Sequence, residues 1–121
     1  MYFFNYINDI ATLNRYQYNS TEKDEYENLL SLYKQADILY FDDFMFGEVS
    51  VSEQKIIFNI INHRYENDLP CIISSNKTLN DIRRINAPIY GRLYEMCSKF
   101  IININNDEAK NFRTGGKNES L

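Results

Sequence analysis

Two apolar runs in this sequence end in groups suited to phosphate chemistry. Ile38-Leu39-Tyr40-Phe41 leads into Asp42-Asp43, and, after one intervening helix, Cys71-Ile72-Ile73 leads into Ser74-Ser75-Asn76. An apolar run of this length buries itself as a parallel strand, and the C-terminal tips of parallel strands are where open α/β sheets bind ligands. At such a rim one carboxylate can hold hydrated Mg²⁺, a second can polarise a water, and a neutral amide can orient that water. Asp42, Asp43 and Asn76 therefore read as half of a nucleotide-hydrolysis site. The phosphate-gripping half, Gly-x-x-x-x-Gly-Lys-Ser/Thr between a strand and a helix, is not found. The glycines are Gly47, Gly91, Gly115 and Gly116, and Gly116-Lys117 has Asn111 and Asn118 where that motif needs Gly and Ser or Thr.

The elements that must position these groups are legible from periodicity. Tyr2-Phe3-Phe4 is aromatic and predicts a strand over 2–5. Residues 8–17 predict a helix capped by Asn8 or Asp9, and Thr21 caps a second one with Glu22, Asp24 and Glu25 in its first turn and Tyr26, Leu29, Leu30 and Tyr33 as its core stripe. Ser50-Val51-Ser52-Glu53 has the form of a capping box opening a helix with Ile56, Ile57, Ile60, Ile61 and Tyr65 on one face, ending near Asn67. Thr78 or Asn80 starts a short helix. Pro88 suits the first turn of the next, with Ile89, Leu93 and Met96 as its stripe. Phe100 to Ile104 is the last strand, and residues 114–121 are expected to be a disordered polar tail.

Bulk properties narrow the classes. A chain of 121 residues makes one domain with a modest core, and a formal charge of −4 argues against a strong free-standing nucleic-acid binder. No apolar window is long enough to span a membrane, and Met1-Tyr2-Phe3-Phe4 lacks the features of a signal peptide, so a cytoplasmic location is expected. Cys71 and Cys97 have no metal-like spacing and are expected to be reduced core thiols.

The order of these pieces resembles the C-terminal two thirds of the AAA+ domain in bacterial DnaC-type and DnaI-type replicative helicase loaders and the IstB transposition helper ATPases. The resemblance rests on Ile38 to Asp43, on Ile60 to Pro70, on Ile73-Ser74-Ser75-Asn76, and on Ile89-Tyr90-Gly91-Arg92-Leu93-Tyr94-Glu95-Met96, and covers roughly residues 2–113. It implies a three-layer P-loop NTPase type of parallel sheet, here a partial domain over 1–113 that lacks the first strand and the P-loop. Carried over residue by residue, it implies Asp42 as the Mg²⁺ ligand of a Walker B strand, Asp43 as the water-polarising carboxylate and Asn76 as sensor 1. Arg92 falls at the arginine-finger position and Arg113 near sensor 2. ATP and Mg²⁺ are the implied cofactors. A replicative helicase or intact loader subunits are the implied partners, within an oligomer, and ATPase activity of this chain alone is not expected. A non-catalytic subunit that docks on an intact loader and supplies or blocks a finger is the alternative, and a decayed remnant the third.

Two lesser readings complete the list. His63, the sole histidine, reads as a surface or interface residue, and Tyr6, Arg15, Tyr16 and Tyr18 combine aromatic faces with a cation, as single-strand DNA platforms do, although the same tyrosines also suit packing of the helix. Single-stranded DNA is expected as a partner only within an assembly. In the family's strand order, 5-1-4-3-2, the strands at 71–74 and 100–104 flank the absent one and would stand roughly 10 Å apart. Three outcomes are open: the gap closes, a partner inserts a strand, or the chain is poorly folded.

Overall fold

The computed structural model describes residues 1–97 and 102–104. Four strands, β1 (Tyr2–Asn5), β2 (Leu39–Asp42), β3 (Cys71–Ser75) and β4 (Ile102–Ile104), form one parallel sheet in the order β1-β2-β3-β4. Between them run α1 (Tyr6–Gln17), a single 3-10 turn at Ser20–Glu22, α2 (Lys23–Gln35), α3 (Val51–Glu66), α4 (Leu79–Ile85) and α5 (Ala87–Met96). The α/β parallel sheet expected from the apolar runs is therefore present. Arg113 and the tail at 114–121 lie outside the described residues.

Local chemistry explains most boundaries. Asn5, not Asn8 or Asp9, caps α1: its side chain accepts from the Asn8 amide, while its own amide donates to Asp9 at 2.8 Å. The helix can start there because the strand tip supplies the cap directly, with no loop. Ser50 caps α3 by accepting from the Glu53 amide at 3.1 Å. The reciprocal half of the expected box is not made; the Glu53 carboxylate instead accepts from the buried Tyr6 hydroxyl at 3.3 Å. Thr78 and Asp81 form a complete capping box at α4, and Pro88 sits in the first turn of α5.

The strand order dictates how the layers are arranged. Each strand steps to the next neighbour in the same direction, and right-handed crossovers then put every connecting helix on one face of the sheet. Side-chain alternation agrees. Phe4, Leu39, Phe41, Cys71 and Ile73 share the helix-covered face and are buried, whereas Phe3, at 63% exposure, and the half-buried Tyr40 and Ile72 belong to the opposite face. On the covered face an aromatic cluster forms around Phe4, whose ring lies 4.6 Å from Tyr33 and 5.0 Å from Phe41. Cys71 is in this core, as expected; Cys97 is only half-buried at the end of α5.

Of the three outcomes open for the last strand, the gap closes: β4 pairs directly with β3, with Ile73 opposite Ile102 and Ser75 opposite Ile104. The backbone groups that would otherwise lie buried and unsatisfied are thereby matched. Amide hydrogen exchange should show protection at Ile102–Ile104 in a dilute monomer, below that of Phe41 and Ile73 because β4 is short and at the edge of the described sheet. Protection appearing only as concentration rises would show that strands pair between chains instead.

Candidate functional site

The tips of β2 and β3 are built into one rim. Asp42 ends β2 opposite Asn5 of β1 and, by alternation with Phe41, belongs to the face not covered by the described helices. The chain then turns through three left-handed residues, Asp43 (φ 57°), Met45 (φ 58°) and Gly47 (φ 73°). Glycine adopts this conformation freely and Asp tolerates it, but for Met45 it costs about 1–2 kcal/mol. Burial offsets that cost. Phe44 and Met45 are fully buried, and the Phe44 ring stands edge-on to Phe41 at 5.1 Å and to Tyr6 at 6.2 Å.

Backbone and side-chain bonds fasten this loop to β3. The Phe44 amide donates to the Ser74 carbonyl at 2.8 Å, and the buried Ser75 hydroxyl donates to the Phe44 carbonyl at 2.8 Å. The same Ser75 oxygen accepts from the Lys77 amide at 3.0 Å, and the Lys77 ammonium donates to the Gly47 carbonyl at 2.7 Å. Asp42 and Asp43 on one side, and Asn76 between Ser75 and Lys77 on the other, are thus held at one edge by a cross-braced frame. Asp42 and Asp43 are half-buried and Asn76 is exposed. Such a frame can hold a hard cation through carboxylate oxygens and their water shell, and can fix a water for attack. Among the described residues no three His, Cys, Asp or Glu side chains are grouped as a metal cluster.

Arg92 lies elsewhere. It is on α5, half-buried against the C-terminal half of α3, where its Nε donates to Asn62 Oδ1 at 2.8 Å. The guanidinium carbon lies 5.6 Å from the Phe58 ring centroid and 5.1 Å from that of Tyr65. These contacts aim the guanidinium, and a planar fork stacked this way keeps its orientation. The structure therefore joins Asp42, Asp43 and Asn76 in one frame and places Arg92 on the flank of the helix layer.

Of the four residues read as a single-strand platform, Arg15 and Tyr18 are exposed and Tyr6 is buried. Tyr6 is 2% exposed and its hydroxyl is raised well above the usual tyrosine range by burial and by Glu53 beside it. Tyr16 is half-buried under the Arg15 guanidinium at 5.1 Å, and Tyr18 is exposed but donates to Ser52 at 3.0 Å. His63 is half-buried on α3.

Sequence reasoning missed Arg64. It is fully buried, donating to Cys71 Sγ at 3.2 Å and to the carbonyls of Tyr33, Lys34, Ala36 and Pro70 at 3.1, 3.4, 2.7 and 2.6 Å. Burial raises the Cys71 thiol pKa, and the neighbouring Arg64 only partly counters it. The one available signal was its position on the apolar side of α3, four residues after Ile60.

No family model matches the chain. Over 81 residues, 63% of this chain, it is 31% identical to the phage-like element PBSX protein XkdC of Bacillus subtilis (strain 168). Over 98 residues, 76% of this chain, it is 29% identical to YqaM of the same organism. The matched regions are 30% and 31% of those two proteins, so the chain spans less than a third of the length of the curated relatives it matches. Among the described residues no helix is long and apolar enough to cross a membrane.

Proposed function

We propose that this chain is the carboxylate-bearing part of a DnaC/IstB-like AAA+ ATPase connected with DNA replication, in a phage or mobile-element setting. The observation that carries the reading is the braced rim, which presents two carboxylates and an amide at the tips of adjacent parallel strands. The sheet face that the described helices leave uncovered supports it too. Parallel sheets are ordinarily covered on both faces, and the three-layer P-loop NTPase arrangement would place a further layer on the side to which Asp42 belongs. The likeness to a protein of a phage-like element supports the setting.

The oxygen-rich rim suits Mg²⁺, a hard cation that prefers carboxylate and water ligands. Asp42 would hold it, and bound there it would neutralise charge developing on the phosphates. Asp43, whose backbone is fixed by the buried Phe44 and Met45, would take the proton of the attacking water, and Asn76 would orient that water. Arg92, remote from these groups, would act on a neighbouring subunit, and Arg113 is assigned to sensor 2 by resemblance alone. Residues 1–121 contain no glycine-rich cradle for the triphosphate.

Isothermal titration of the purified chain with Mg-ATP should therefore show no affinity tighter than about millimolar, because a carboxylate rim repels phosphate that no cradle holds. A micromolar isotherm would sink the half-site reading and reveal a different phosphate site. The flank position of Arg92 favours the second reading, in which the chain docks on an intact loader and supplies or blocks a finger there.

A further inference from the structure

Among the described residues β1 is an outer strand of the sheet. Natural sheets blunt such edges with charges, proline or bulges, because a row of outward amides and carbonyls templates another strand. Tyr2-Phe3-Phe4-Asn5 carries no charge and no proline, and its register with β2 runs unbroken from Tyr2 opposite Leu39 to Asn5 opposite Asp42. The Tyr2 amide donates to the Ile38 carbonyl at 2.9 Å, so in the parallel ladder Tyr2 and Phe4 bond towards β2 and Phe3 directs its amide and carbonyl away from the sheet. At the strand tip the outward Asn5 amide already donates to Asp9 at 2.8 Å, which leaves the stretch around Phe3 as the open edge.

A groove of about 320 Å³ lies beside that edge, formed by Met1 and Tyr2 on the strand side, by Ser31, Leu32 and Gln35 of α2, and by Asp37. Met1 and Leu32 are 66% and 52% exposed, and on the opposite face of β1 the exposed Phe3 ring stands 5.4 Å from Tyr40. A strand laid on β1 sends alternate side chains into the groove and onto the Phe3 ring. We propose that this edge receives an extended segment of another protein by strand addition, with an apolar side chain in the groove against Leu32 and a lysine or arginine facing Asp37. The outward backbone of Phe3 selects an extended chain, and the groove between edge strand and helix selects its side chains, as in other strand-addition sites. The basic character of the partner follows from Asp37 and from Asp24, Glu25 and Glu27, which α2 exposes against Lys23 and Lys34. The contact involves none of Asp42, Asp43, Asn76 or Arg92 and stands apart from the nucleotide chemistry.

A fluorescein-labelled peptide of about ten residues, valine alternating with threonine and lysine at both ends, tests the edge by fluorescence anisotropy with the full chain. It should bind with a Kd below about 100 μM and slow exchange of the Phe3 amide at least about tenfold. Methylating the peptide's backbone amides should weaken binding at least about tenfold. Phe3→Pro should do the same while keeping the wild-type circular dichroism spectrum, because the N–H it removes is not one that pairs with β2. Leu32→Ser should weaken binding too, and Asp37→Lys should shift the preference to the same peptide with glutamate at its ends. No binding at about 1 mM peptide overturns the proposal. So does binding that neither the methylated peptide nor Phe3→Pro weakens. A chain whose sedimenting mass rises with concentration unless Phe3 is replaced by Pro would show that the edge takes a second copy, which overturns it as well.

Discussion

Replacing Arg64 with Met should cost about 3–5 kcal/mol of stability, a large part of the 5–15 kcal/mol typical of a domain. The size follows from what the guanidinium touches. α2 ends with the carbonyls of Tyr33, Lys34 and Ala36, the partly negative end of a helix, and Arg64 reaches all three while its other arm holds Pro70 at the entry to β3. Pro70 also accepts from the Leu39 amide at 3.2 Å, so one side chain ties together the end of α2, the start of β2 and the start of β3. Met fills much of the volume but leaves buried carbonyls without a donor. Lys keeps the charge but cannot spread its donors over groups arranged around a planar fork. Thermal unfolding followed by circular dichroism should show Arg64→Met melting more than about 10 °C below wild type, with Arg64→Lys in between. A midpoint within about 2 °C of wild type for Arg64→Met would show that these bonds contribute little.

The second large effect concerns Arg92 and rests on the proposed finger role. Arginine fingers contribute about 10³–10⁵ in rate where they complete a site. Saturating an intact, ATP-hydrolysing loader of this type with the wild-type chain should therefore change its phosphate release at least about tenfold, upward if the finger completes the loader's site and downward if the chain displaces a native finger. Arg92→Ala should remove an acceleration outright. Asn62→Ala should weaken it less, since it keeps the cation but removes the 2.8 Å bond that aims it. Equal rates with wild-type chain and Arg92→Ala would eliminate the finger role in trans.

Local patterns in the chain were enough to find the elements and the polar tips. Period-two and period-3.6 patterns, with Ser50, Thr78 and Pro88 at helix starts, report on backbone choices made within a few residues, so β1 to β3 and all five helices were legible to within a residue or two at most ends. The same local logic placed Asp42 and Asn76 at strand ends. It slipped at two caps: α1 starts early because Asn5 at the strand tip caps it, and Glu53 turns from the capping box to Tyr6, 47 residues away.

The rest came from contacts between distant segments. Which strand β4 joins, which face of the sheet the described helices cover, and where Arg92 lies depend on strand order and on crossovers that step in one direction, and no local pattern carries that information. Whether Tyr6 packs or faces outward was open until Phe44 and Glu53, from separate segments, joined Phe4 in enclosing it. Arg64 lies near a helix end, where a charge carries no local sign of burial. Its burial became possible only because α2, β2 and β3 converge to give its donors acceptors, and a buried cation is tolerated where tertiary neighbours supply them.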